Sequence, residues 1–106
     1  MNDEKILMVD DDPNVLSAYK RSLYKKFHLE TALGPELALE TIHENSFAII
    51  VSDLKMPEMD GIQFLTKVKE DSPNSIRMML TGYAEVNKAI EAVNEGNIWG
   101  IFLNLG

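Results

Sequence analysis

The chain has no cysteine. Disulfides, thiolate metal sites and a cysteine nucleophile are therefore excluded. Histidine is nearly as scarce. Its two copies, His28 and His43, lie far apart and away from the acidic motifs, so both are expected on the surface and not as ligands. Positive charge is also short: 10 Lys and Arg face 17 Asp and Glu, a formal charge of −7. That balance argues against direct binding of nucleic-acid phosphates. No apolar run is long enough to span a membrane, and the amino end, Met1-Asn2-Asp3-Glu4-Lys5, is too acidic for a signal peptide. A cytoplasmic location is expected. Repeats, low-complexity tracts and linkers are missing too. What remains, 106 residues with 45% apolar content, suits one small domain with one core.

Short apolar runs alternate with helical patterns. Strands are expected at Lys5–Val9, His28–Leu33, Phe47–Val51, Ile76–Leu80 and Ile98–Leu103. The second carries mixed charge and suits a sheet edge, whereas the third is nearly all apolar, as in a central strand covered on both faces. Pro13, with Asp12 as its cap, opens a helix expected to run to about Lys26. Further helices are expected from about Ala38 to Glu44, over Gly61–Asp71, and over Val86–Val93, where Val86, Ala89, Ile90 and Val93 share one face. The alternation βαβαβαβαβ predicts a doubly wound α/β fold with a parallel sheet, whose sites lie beyond the carboxyl ends of the strands.

Those ends are polar. The first strand runs into Asp10 and Asp11, the third into Ser52 and Asp53, the fourth into Thr81 and Gly82. If the three strands are neighbours, the carboxylates converge and require a cation. Oxygen donors with room for water suit Mg²⁺ or Mn²⁺. One carboxylate could then serve as nucleophile toward a phosphoryl group.

Three segments, "ILMVDDDP" (Ile6 to Pro13), "VSDLKMPEMDG" (Val51 to Gly61) and "MLTGYAE" (Met79 to Glu85), resemble the motifs of the receiver domain of two-component response regulators. The resemblance implies a flavodoxin-like five-stranded parallel sheet of order 2-1-3-4-5. It implies that Asp53 accepts a phosphoryl group from a histidine kinase or phosphotransfer protein. Asp10, Asp11, Asp53 and the backbone carbonyl of Lys55 would form the Mg²⁺ site. Thr81 would contact the phosphoryl group and switch, and Lys55 and Tyr83 would tune dephosphorylation. The chain would relay its state to an output domain in a longer parent protein. It would be a switch and not an enzyme, beyond its own phosphorylation and dephosphorylation. A phosphohydrolase with an aspartyl nucleophile is disfavoured, because Lys55 stands where a second carboxylate would be needed.

The pattern departs at the carboxyl end. Receivers close their fifth strand with a Lys-Pro pair and then add a last helix. Here "NIWGIFLNLG" places Asn104, or Leu105 after a one-residue shift, at the lysine position, and no lysine follows Lys88. Residues 1–106 therefore read as a receiver domain truncated after the fifth strand, without linker or output domain. Two expectations follow: weakened phosphorylation or weakened coupling to Thr81, and a homodimer or swapped dimer covering the face left by the missing helix. The alternative function is a pseudo-receiver, an interaction module with impaired phosphorylation. Trp99, Ile101 and Phe102 all compete for the role of switch aromatic.

Overall fold

The computed structural model describes residues 4–81, 87, 88, 90, 91 and 100–103. Chain order is β1 (Lys5–Asp10), α1 (Pro13–Leu23), β2 (His28–Leu33), α2 (Pro35–Glu44), β3 (Ile49–Asp53), α3 (Gly61–Asp71), β4 (Ile76–Thr81) and β5 (Gly100–Leu103). Every strand pairing is parallel. The strands lie in the order β2-β1-β3-β4-β5, which puts the charged β2 at an edge and β3 inside. This is the doubly wound α/β arrangement that the alternating pattern predicts.

Local chemistry sets the helix starts. Asp12 is extended and its side chain accepts from the Asn14 N–H at 2.9 Å, with Pro13 in the first turn. That satisfies a donor which the helix itself leaves unpaired, and proline there loses no bond. Asp60 and Gln63 form a reciprocal capping box at the head of α3. Lys20 and Arg21 occupy the last turn of α1, beside its negative end.

Several boundaries differ from expectation; α2, for one, begins at Pro35 and not near Ala38. Helix α1 stops at Leu23, three residues short of Lys26. Strand β3 starts at Ile49 and reaches Asp53, two residues beyond the expected Phe47–Val51. Phe47 is buried, but in the core and not in the ladder. The apolar run reports burial, whereas strand pairing follows backbone hydrogen bonds, which carry on through polar Ser52 and Asp53.

The side-chain alternation of the strands divides the core between the two faces. Leu7, Val9, Ile50 and Met79 pack with Phe64, Leu65 and Val68 of α3 and with Ala38 and Ile42 of α2. Met8 and Val51 point the other way, toward Leu16 of α1. On that side Tyr19, Leu23, Ile49, Met78 and Leu80 are only partly buried and border an apolar groove of about 330 Å³.

Asn87, Lys88, Ile90 and Glu91 are helical; the rest of the expected Val86–Val93 helix lies outside the described residues. So do Gly82, Tyr83, Trp99, Asn104 and Leu105. Among the described residues, no helix is long and apolar enough to cross a membrane.

Candidate functional site

Strand register brings the acidic residues together. Val9 of β1 is level with Ser52 of β3, so Asp10 and Asp53 are the next residues on adjacent strands. Asp53 in turn is level with Leu80 of β4, and Thr81 follows as the last residue of that strand. Asp11 leaves β1 into the loop that Asp12 caps. One carboxylate oxygen from each of Asp10, Asp11 and Asp53 lies within 4.8 Å of the others.

The three carboxylates differ in exposure. Asp10 is buried, Asp53 half-buried and Asp11 exposed. Burial raises the Asp10 carboxyl to about 6 from an ordinary 3.8, and repulsion from Asp53 and Asp11 adds to it, while the Asp12 N–H pulls the other way. That N–H donates to Asp10 Oδ1 at 3.0 Å. Burial also raises Asp53, with Asp11 contributing; the backbone N–H groups of Leu54 and Lys55 and the Lys55 charge oppose the rise. Tyr19 reaches this field from α1: its phenol is raised first by burial and then by Asp10 and Asp53.

Asp53 is held from behind by a close backbone contact. The Gly61 N–H donates to the Leu54 carbonyl at 2.8 Å. A Cβ on Gly61 would stand 2.3 Å from the Asp53 carbonyl oxygen, so only glycine fits this approach. Between them the loop includes Glu58 at φ 71°, a left-handed conformation uncommon outside glycine. The Asp10 carbonyl is also occupied, accepting from the Gly34 N–H at 2.8 Å.

Asp10, Asp11 and Asp53 thus meet as the sequence implies. The donor set fits a hard divalent cation: all-oxygen, anionic and open on the Asp11 side. Lys55 directly follows the site. Thr81 is placed by its backbone at the end of β4. His28 and His43 are exposed and remote, each beside an acidic partner, Glu30 and Asp71. Two features went unread in the sequence. One is the fit of Gly61 against Asp53; the nearest signal was Asp60-Gly61, readable as a turn and helix start. The other is Lys88, which lines a cleft with Lys55. Its position 33 residues further on gave no signal of that.

The sequence matches the family described as the response regulator receiver domain over residues 6–101, and the chain belongs to that family. It is 37% identical over 93 residues to the transcriptional regulatory protein SrrA of Staphylococcus aureus, covering 87% of this chain and 38% of that protein. It is 30% identical over 98 residues to the hydrogenase transcriptional regulatory protein HoxA of Cupriavidus necator, covering 92% of this chain and 20% of that protein. The chain therefore spans well under half the length of these curated relatives. A crystal structure described as adenylate cyclase from Rhodopirellula baltica superposes with a TM-score of 0.92 at 38% identity, covering 97% of this chain and 77% of that one.

Proposed function

We propose that this chain is a phosphorylation-controlled signalling switch in which Asp53 accepts a phosphoryl group from a histidine kinase or phosphotransfer protein. The observation that carries this reading is the convergence of Asp10, Asp11 and Asp53 within a receiver-family sequence. An Asp53 oxygen forms the new O–P bond as the donor's P–N bond breaks, and the electron pair leaves with the donor's imidazole. Asp10, Asp11, Asp53 and the Lys55 carbonyl would hold Mg²⁺, which when bound neutralises charge on the phosphoryl oxygens. The chain's own part is positioning. The core fixes β1 and β3, and the Gly61 contact fixes the Asp53 backbone. The Leu54 and Lys55 N–H groups keep the carboxylate more acidic than burial alone would allow.

Phosphorylation would add roughly two negative charges beside Asp10 and Asp11. Thr81, at the end of β4, is the group we assign to contact the phosphoryl oxygens and carry the change into the loop that follows. Output would pass to a domain of a longer parent or to a separate partner, in a cytoplasmic setting. Turnover is limited to the chain's own phosphorylation and dephosphorylation. The test is a phosphate-affinity gel of the purified chain with acetyl phosphate and Mg²⁺. A retarded band that requires Mg²⁺ and is lost in Asp53→Ala is expected.

Asn104, or Leu105 after a one-residue shift, at the position where the family has its lysine favours a second reading, a pseudo-receiver that binds partners without phosphorylation. No retarded band at any acetyl phosphate concentration would establish that reading instead.

A further inference from the structure

Three carboxylates and an incoming phosphoryl group need more positive charge than one divalent cation supplies. With Asp10 and Asp11 ionised and about two charges on the phosphoryl group, a bound Mg²⁺ leaves the site net negative. The chain has ten lysines and arginines, and the fold places most of them away from this end of the sheet. Lys5 begins β1 and Arg77 lies at the start of β4. Lys20 and Arg21 are in the last turn of α1, with Lys25 and Lys26 beyond it. Lys67 and Lys69 fall in the second half of α3. All eight fall at strand starts, in the later turns of α1 and α3, or in the turn after α1. Two are left.

Lys55 follows Asp53 by two residues, and Lys88 belongs to the helical segment after β4. Together with Leu54, Met56, Pro57 and Asp60 they line a single cleft of about 370 Å³. Leu54, the residue next to Asp53, is 3% exposed and forms part of the lining of this cleft. Asp60 is the acid on the rim, and its carboxylate is engaged by the Gln63 N–H at 2.9 Å. The Lys55 charge already acts on Asp53. Lysine is a flexible point charge with three donors, suited to following a phosphoryl group through transfer.

We propose that Lys55 and Lys88 form a two-cation clamp that receives the oxygens of the anionic phosphoryl group from the α3 side of the site. The inference rests on the phosphoacceptor role proposed for Asp53. It makes both lysines part of the reaction: their ammonium groups touch the phosphoryl oxygens while Asp53 forms its bond to phosphorus. The clamp should act oppositely on the two ions that visit the site. It favours the anion and, by like-charge repulsion, disfavours the bare metal ion.

That opposition is the test. Calorimetric titrations of the purified chain measure Mg²⁺ alone, then beryllofluoride in saturating Mg²⁺ as a phosphoryl mimic. The variants are Lys55→Gln, Lys88→Gln, the double replacement, a double Lys→Arg replacement, and Lys20→Gln as a remote control. Each Gln variant should lose about tenfold in beryllofluoride affinity, the loss of one charge-assisted hydrogen bond. The double variant should lose more than either single one. Mg²⁺ affinity should stay equal or rise, the Arg pair should hold beryllofluoride within a few-fold, and Lys20→Gln should change neither. Unchanged beryllofluoride affinity in the double variant overturns the clamp while leaving the phosphoacceptor reading intact. A parallel loss of Mg²⁺ and beryllofluoride binding overturns it as well, since it marks a merely structural role. Wild-type protein that binds Mg²⁺ but no beryllofluoride overturns both readings.

Discussion

Strands β1 and β3 pass through two opposite environments within a few residues. In mid-strand, Leu7, Val9 and Ile50 are at most 2% exposed and packed against α2 and α3. Just beyond, Asp10 and Asp53 face Asp11 with burial and repulsion working against their charge. The first region gains from removing apolar surface from water, at roughly 25 cal/mol per Å². The second loses by bringing like charges together, and it persists because the strands that carry it are held by the first. The comparison shows that the acidic site is not self-stabilising. It is imposed by the core on residues that would separate if free to do so.

Breaking the core should give the largest effect. Phe64 is fully buried in the α2/α3 face, so Phe64→Ala should cost about 3–5 kcal/mol in urea unfolding, with or without Mg²⁺.

The charge penalty should appear as a pH dependence of opposite sense to that of ordinary paired carboxylates. The Asp10 carboxyl is raised in the folded state, from 3.8 to about 6. The folded state therefore binds more protons than the unfolded state. The resulting stability is fully present below about pH 4 and is lost as pH rises through about 6. Two units correspond to at most about 3 kcal/mol. Urea midpoints of the metal-free protein between pH 4 and 7.5, with Asp10→Asn as reference, should show this slope in the wild type and a weaker one in the variant. Asp53 is shifted in the same direction and leaves a residual slope. Saturating Mg²⁺ should restore stability at pH 7.5, by about 2.7 kcal/mol at a hundred times its Kd.

Gly61→Ala tests the join between the two regions. The added Cβ meets the Asp53 carbonyl oxygen at 2.3 Å, so backbone must shift, at a cost of about 1–3 kcal/mol. Beryllofluoride affinity should fall as Asp53 moves, whereas Phe64→Ala should leave it unchanged in the fraction still folded. The smallest effect is expected at the surface. His43 and Asp71 approach to 3.4 Å, but His43 is 65% exposed. His43→Ala should change stability by no more than about 0.5 kcal/mol, and a larger change would mean that α2 and α3 depend on this pair.

Much of this was readable beforehand, for local reasons. Asp12 and Pro13 announce a helix start because capping needs only neighbouring atoms. The apolar stripe of Gly61–Asp71 announces α3 in the same way. The acidic residues were legible as a site because aspartates at the ends of successive parallel strands meet when those strands are adjacent. The limits of β3 were misplaced by two residues because apolar composition reflects core packing, and Phe47 packs without joining the ladder. The Lys55–Lys88 cleft was not legible, because no sequence rule relates a loop residue after β3 to a helical residue after β4.

The sequence by itself determined the alternation of elements, the parallel sheet, the helix caps and which residues carry negative charge. These depend on residue type and spacing along one segment. Tertiary structure decided what those charges experience. Strand register set Asp10 and Asp53 side by side, burial pushed their carboxyl groups toward the neutral form, and the fold brought Gly61 against the Asp53 backbone. It also brought Lys88 beside Lys55. Electrostatic energy depends on distances through space and on the exclusion of water, and both exist only once the chain has folded.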